Sequence, residues 1–547
     1  MALNLEIRAR PVRGNRLIDD YVRGESALAP FFPGSPFDPD AYRRKAAEVR
    51  DRFEPESLAA MASAVRPLSE EARRRLESAA AGDGFVVTTG QQPGLFGGPL
   101  YTVHKALTAI ALARRLEEVL RVPVLPLFWV ASDDHDWAEA NHVAVLDPSN
   151  RLHRLTLTGH PETPRSMGRL ELGDRAETAL TELSEVLPPS DFTESIMERL
   201  RAHWGQASGH TVAAAFAATM ASLLEGLPIG LVDAQDPTVR ELGRPVIRRE
   251  LERSAEHERA LAGQTARLEA AGYQAQVPIL ESASNVFLED ERNGRQRLLR
   301  EDGGWVLRAS KERLSSEELE GLLEADPGRF SANVVLRPVV ESAVFPTLAY
   351  VGGPGEVRYL AQTGCLFERH GVGMPVVFPR LGVTLVESKV RKVLDKFGVD
   401  VDAFVGRPVH ELVAEVVQDE VPEAVRSALG DLRRSLQEGH QAVYEAAQAI
   451  DPTLKGPIFH ARNEGLKAIS EMEKRIRQHV KLKQETELEQ LGKAAVNLAP
   501  ESKAQERVLN VHQYLARYGP ELIPGLLDRM AVELNVDGAG WTGVRCD

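Results

Sequence analysis

The chain has 547 residues, 43% of them apolar, enough for two or more structural units each with its own core. Lys plus Arg number 66 against 80 Asp plus Glu, and the net charge of −14 argues against a nucleic-acid phosphate binder. Two cysteines, Cys365 and Cys546, suit a reducing compartment and leave neither a Cys-rich zinc site nor an expected disulfide. The charged N-terminal stretch lacks a signal-peptide apolar run and no segment has bilayer length, so a cytoplasmic protein without membrane or nucleic-acid partners is expected.

Residues 40–80, rich in Ala, Arg and Glu, predict two solvent-facing helices leading into the core. The β-branched run FVVTTG (85–90) ends in Gly and is followed by a Gly/Pro loop and the helix-patterned stretch PLYTVHKALTAIALARRLEEVL. The apolar run 122–132 stops at Asp133, so 85–132 reads as a βαβ unit of a parallel sheet, whose ligands bind at the carboxyl ends of strands. Over 150–330 the pattern predicts a strand in LHRLTLTG, a helix over 213–226, a buried strand in GLPIGLVDAQDP and one long charged helix over 239–271. This is the rest of the core plus an insertion. Residues 334–362 and one further strand over 374–387 return the chain to the sheet.

Beyond 405 the chain turns to Ala, Glu, Lys, Arg and Gln, with Ile469, Met472, Ile476 and Val480 on one helix face. The break at 451–457 divides this region into an antiparallel helical hairpin, whose apolar stripe is covered within the chain or by a second copy. The expected organisation is a core over 1–404 with connecting inserts at about 150–330, a helical hairpin over 405–500, and a segment over 501–547 that packs back on the core.

Three loops carry candidate chemistry. GQQPGLFGGP leads into a helix, which aims free N–H groups and a helix dipole at an anion, although it matches neither the P-loop nor the dinucleotide fingerprint. Gly90, Gln91, Gln92 and Gly98 form this loop; Tyr101, His104 and Lys105 follow it, the last two suited to neutralising phosphate charge. An ordinary loop is the alternative. At the next strand end stand Asp133, Asp134, His135 and Asp136, either a helix N-cap with acidic first turn or a functional cluster with Asp134 or His135 as general base. If 135–142 is helical, His135, Glu139 and His142 share a face and could hold a divalent metal. VGGPGEVRYLAQ repeats the loop-to-helix pattern through Gly352, Gly353, Gly355, Glu356 and Tyr359, or is a tight turn. Ser388 and Lys389 follow a strand, where a lysine reaches a phosphate or simply meets solvent, and Cys365 reads as a packed thiol.

GPLYTVHK resembles the signature loop of class I aminoacyl-tRNA synthetases and related nucleotidyltransferases, with Tyr101 in place of its first histidine and His104 matching its second. VESKV resembles their lysine-bearing loop through Ser388 and Lys389. A closer resemblance spans nearly the whole chain: TGQQPGLFGGPLYTVHK, FWVASDDHDWAEANHV, RPVVESAVFPTLAYVGGPGEVRYLAQ, MPVVFPR and QERVLN resemble the bacillithiol biosynthesis cysteine-adding enzyme family. That resemblance implies an α/β fold: a Rossmann-like parallel-sheet core with connecting inserts and a C-terminal α-helical coiled-coil region that supports a homodimer. It also implies a ligase that joins L-cysteine to glucosaminyl malate in the last step of bacillithiol synthesis. Amide formation from a free carboxylate requires activation, so ATP with magnesium is the expected co-substrate. In this reading His104 and Lys105 stabilise phosphate charge, and Asp134 or His135 orients or deprotonates the amine. Arg380 or the loop 352–355 meets the malate carboxylates. Glu506 and Arg507 complete a nucleotide pocket against the helical region, or form an internal salt bridge. A related cysteine ligase family selects cysteine with zinc; two distant cysteines cannot form that site, and no zinc is expected. The alternatives are a metal-dependent hydrolase or transferase, and an RNA-binding or assembly protein descended from a synthetase core.

Overall fold

The computed structural model describes residues 5–408, 411–412, 421–483 and 485–534. Cys546, half of the disulfide question, and the end of the 501–547 segment lie outside them. The chain divides into two units, one comprising Ile7–Leu385 and the segment from Glu506, the other Asn4–Glu6 and Val386–Gln505.

The first unit is built on a six-stranded sheet in the order Val376–Pro379, Thr347–Gly352, Phe85–Gln91, Val124–Val130, Gly230–Asp233, Val65–Pro67. All neighbours are parallel except the last strand, which is antiparallel. The three central strands are buried almost throughout, which accounts for their continuous apolar runs. The helix Tyr101–Leu120 makes the first crossover. The sheet grows outward in both directions from Phe85–Gln91, so the order reverses between that strand and Thr347–Gly352, the position where open α/β sheets bind ligands. A second, antiparallel sheet of five strands lies in the 150–330 insert and contains the hairpin Ala283–Asp290 and Gly294–Glu301.

Three predicted elements differ. Residues 40–80 form three helices, Pro39–Arg50, Pro55–Ser63 and Glu70–Ala80, because Pro55 starts a new helix at its first turn. They are core elements as well as surface ones: Tyr42, Met61, Ala72 and Ala79 are fully buried. The helix expected over 239–271 breaks at Arg253 (φ −118°, ψ 22°) into Pro237–Glu252 and Ser254–Ala270. The strand expected over 374–387 is two, because the chain changes sheets at Arg380. Its N–H donates to Gly352 O and its carbonyl accepts from Val12 N–H, after which Leu381–Glu387 pairs with Leu5–Pro11.

The second unit starts at Val386 rather than near 404, since Val386, Val390 and Leu394 pack with Phe404, Leu491 and Leu498 in a core of its own. Its helices Glu423–Ala447 and Lys455–Lys483 form an antiparallel hairpin, closed by a turn at Pro452–Leu454. Arg433 pairs with Glu473 at 2.6 Å, and the rings of Tyr444 and Phe459 meet edge to face. Ile469 is buried in the hairpin, whereas Leu432, Val443, Ile450 and Met472 are exposed.

Candidate active site

At the point where the strand order reverses, the first unit holds a cavity of about 520 Å³. Three carboxyl-terminal strand ends supply its base: Gly90, Gln91 and Gln92, then Asp133, Asp134 and His135, then Gly353, Gly355 and Glu356. Arg295 and Arg297 from the antiparallel insert and Arg507 from the C-terminal segment are among the residues that line its walls.

An ion-pair network underlies the cavity. Lys105 Nζ contacts Glu356 Oε2 at 2.5 Å and donates to Gly90 O at 2.7 Å and Gln91 Oε1 at 3.0 Å. Glu356 also accepts from Gly353 N–H at 2.8 Å and from Tyr350 Oη at 2.5 Å, while Arg337 donates to the hydroxyls of Tyr359 and Tyr350. Burial pushes the Glu356 carboxyl up, and Lys105 and Arg337 more than reverse it, so it stays ionised. Burial likewise pushes the Tyr359 and Tyr101 hydroxyls up to about 12. Gly90 must be small: a Cβ there would lie 2.9 Å from Trp129 O and 3.4 Å from an Arg337 nitrogen.

The acidic cluster separates into different tasks. Asp133 pairs with Arg240 at 3.3 Å, and Asp136 caps the short helix Trp137–Ala140 outside the cavity lining. Asp134 accepts from Gln92 Nε2 at 2.8 Å and Asp136 N–H at 3.0 Å. Burial raises its pKa, but Arg295 and these two donors bring it below the usual value. His135 Nδ1 lies 2.8 Å from an Arg295 nitrogen. A guanidinium only donates, so Nδ1 accepts and the neutral ring carries its proton on Nε2. Burial, with Arg295 beside it, lowers the His135 pKa and keeps the ring neutral. Of the two candidates for the base, Asp134 and His135, the latter has its acceptor nitrogen occupied by Arg295 and its proton on Nε2 in this arrangement. Glu139 also lines the cavity, and burial together with Asp136 and Asp134 raises its pKa. The helical face proposed for His135, Glu139 and His142 does not form: the helix is one turn long, and His142 begins the strand His142–Leu146.

Other predicted residues face elsewhere. His104 is fully buried behind the cavity wall, its Nδ1 2.9 Å from Glu506 Oε2, and burial lowers its pKa. It cannot touch a phosphate in the cavity. Glu506 is taken up by Arg380 and His104, the internal salt bridge rather than a nucleotide contact against the helical region. Arg380 still lines the cavity, with its guanidinium 5.5 Å from the Tyr101 ring centre. The expected anion cradle before Tyr101 is closed: Leu100 N–H donates to Leu509 O, and Asn510 Nδ2 donates to the carbonyls of Phe96 and Gly98. Gly98 and Gly352 sit outside the lining, and the helix start at Gly353 is capped by Glu356. Ser388 and Lys389 belong to the second unit, with Lys389 3.6 Å from Glu387. Cys365 is half-buried, and burial lifts its thiol to about 11.

The cations that sequence reading missed are Arg295, Arg297 and Arg337. Arg295 and Arg297 flank the Phe287 ring at 4.0 and 4.9 Å. Among the described residues, no carboxylate lies within ion-pair distance of Arg297 or Arg507. The cavity thus presents two guanidinium groups without a direct ion pair together with the carboxylates of Asp134 and Glu139, a lining that takes an anion and a cationic amine together.

The description "Bacillithiol biosynthesis BshC, N-terminal Rossmann-like domain" matches residues 2–381, and "Bacillithiol biosynthesis BshC, C-terminal coiled-coil domain" matches residues 383–534. Relatives carrying the name "Putative cysteine ligase BshC" include that of Salinibacter ruber, 34% identical over 93% of both chains. That of Koribacter versatilis is 32% identical over 94% of this chain and 95% of its own, and that of Bacillus licheniformis 29% over 93% and 94%. With its parallel α/β unit and helical hairpin matched in that order, the chain belongs to the bacillithiol biosynthesis BshC family.

Proposed function

We propose that this chain is a ligase that joins L-cysteine to the amine of glucosaminyl malate, the last step of bacillithiol synthesis, using ATP with magnesium. The observation that carries this reading is the cavity at the strand reversal, whose lining combines Arg297 and Arg507, neither in a direct ion pair, with Asp134 and Glu139. The cysteine carboxylate attacks a phosphorus of ATP, giving either an acyl-adenylate with release of pyrophosphate or an acyl phosphate with release of ADP. The glucosaminyl amine, having lost a proton from its ammonium form, attacks the activated carbonyl; AMP or phosphate leaves, and the nitrogen gives up a second proton.

Arg295, Arg297 and Arg507 meet the phosphate and malate oxygens, with charge-assisted bonds to groups that carry two or more negative charges. Asp134, held ionised by Arg295, orients the ammonium. Glu139, whose raised pKa brings it nearer neutrality, takes the amine proton. His135 Nε2–H donates to the reacting carbonyl. Lys105 and His104 serve as supports of the wall, through Glu356 and Glu506.

The hairpin of the second unit supports a homodimer, because Leu432 and Val443 on one helix and Met472 on the other are left exposed. Among the described residues no helix is long and apolar enough to cross a membrane, in keeping with work on small polar metabolites in the cytoplasm.

A gene deletion in the native host tests the pathway role. The expected result is loss of bacillithiol with accumulation of glucosaminyl malate, restored by the wild-type gene; an unchanged bacillithiol level overturns the reading.

A further inference from the structure

Away from the cavity, three helices bring Glu250, His257 and His370 together in the core of the first unit. Glu250 lies in Pro237–Glu252, His257 in Ser254–Ala270 beyond the break at Arg253, and His370 ends Pro354–His370. All three side chains are fully buried. One ligand atom from each falls within 4.8 Å of the others.

The polar groups of this cluster satisfy one another only in part. Glu250 Oε1 accepts from Asn285 N–H at 3.1 Å and Asn285 Nδ2 at 2.9 Å, and Asn285 Oδ1 in turn accepts from Asn333 Nδ2 at 2.8 Å. This holds the carboxylate with Oε2 toward the two imidazoles, 2.6 Å from His257 Nδ1 and 3.6 Å from His370 Nε2. His257 Nε2 and both ring nitrogens of His370 have no hydrogen-bond partner among the described residues. Three imidazole nitrogens are thus buried without a partner around a carboxylate oxygen, an arrangement that a cation between them completes.

We propose that Glu250, His257 and His370 bind a structural divalent transition metal of the zinc class. Two imidazoles and a carboxylate are a donor set for such an ion, with a water in the fourth position. Tetrahedral ligands about 2 Å from an ion stand roughly 3.3 Å apart, between the two distances seen at Oε2. Asn285 is the outer partner that orients a ligating carboxylate. No cysteine takes part, so this ion is separate from a cysteine-selecting zinc and lies outside the residues that line the cavity. It would clamp the helix break at Arg253 to the end of Pro354–His370. Through Asn285 and Asn333 it would also steady the cavity wall, which Asn333 lines.

Elemental analysis of the full-length chain, purified without a histidine tag, tests the site, together with cobalt(II) uptake and its visible absorption after chelator treatment. The expected result is about one transition-metal ion per chain, retained through gel filtration. His257→Gln/His370→Gln should lose it, and Asn285→Ala should bind it about 10-fold or more weakly. If the double variant does not fold, the wild-type chain and Asn285→Ala decide the matter. A wild-type chain that carries no metal and takes up no cobalt(II), an unchanged affinity in Asn285→Ala, or a folded double variant that keeps its metal overturns the proposal.

Discussion

Glu506 grips Arg380 with both carboxylate oxygens, at 2.9 and 2.7 Å, in a buried pair that ties the C-terminal segment to the cavity wall. Burial alone would raise the Glu506 pKa; Arg380 and His104 hold it far below the ordinary carboxylate range. Glu506→Gln leaves the guanidinium buried without its counter-charge, and urea unfolding should register a loss of about 3–5 kcal/mol. Replacing both partners by apolar residues of similar volume should cost less than the single change. Equal costs would mean that the pair does not act as a unit.

The buried histidines set an acid limit. Burial lowers the pKa of His104, and that of His512 to about 3. In the unfolded chain both take up a proton near pH 6.5, a proton that the native state refuses, so stability is complete above that pH and falls as pH drops toward 3. The urea midpoint should therefore decline from about pH 7 to about pH 5. His512→Gln should flatten the slope, and a midpoint that rises on acidification would contradict the assignment.

Assigning proton transfer to Glu139 and hydrogen-bond donation to His135 separates their pH profiles. Glu139→Gln should lower turnover about 10²- to 10⁴-fold and remove the acid limb of kcat. His135→Gln, which keeps a donor, should retain that limb. If instead His135→Gln abolishes it, histidine is the base and its Nδ1 contact with Arg295 must open in the substrate complex.

Gly294 turns the hairpin that delivers Arg295 and Arg297. Its φ is +68°, and an added Cβ would fall on the Pro164 carbonyl oxygen that accepts Arg295 N–H at 2.7 Å. Gly294→Ala should cost more than about 1 kcal/mol and raise KM for glucosaminyl malate, because Arg295 loses its anchorage to Ser331 and Ala332. Wild-type kinetics in this variant would show that the hairpin does not position the arginines.

Val443 and Met472, exposed on the hairpin at 57% and 47%, are the residues to change for the homodimer. Sedimentation should find a dimer for wild type and a monomer for Val443→Glu/Met472→Glu, with helix content unchanged. A monomeric wild type would remove the dimer from the account.

The parallel sheet was legible because its central strands are buried on both faces and so read as unbroken apolar runs, with loops that begin where polarity returns at Gln91 and Asp133. Adjacent residues were harder to assign. His104 and Lys105 are neighbours on one helix, yet successive side chains point about 100° apart, so Lys105 borders the cavity and His104 the Glu506 pocket behind it. Glu506 and Arg507 divide in the same way. Arg295 and Arg297 sit two apart on a strand and therefore share a face, but only tertiary packing brings that face to the loops at Gly90 and Asp134. The Glu250, His257 and His370 cluster likewise depends on a helix break that helical periodicity does not reveal.

Incubating the purified chain with L-cysteine, glucosaminyl malate and magnesium ATP, and following amide product and nucleotide together, tests the central claim most directly. The account predicts bacillithiol formed in equal amount with AMP and pyrophosphate, or with ADP and phosphate, and little or none with Glu139→Gln or Arg297→Met. A well-folded wild-type chain that forms no amide product while ATP stays intact would contradict it.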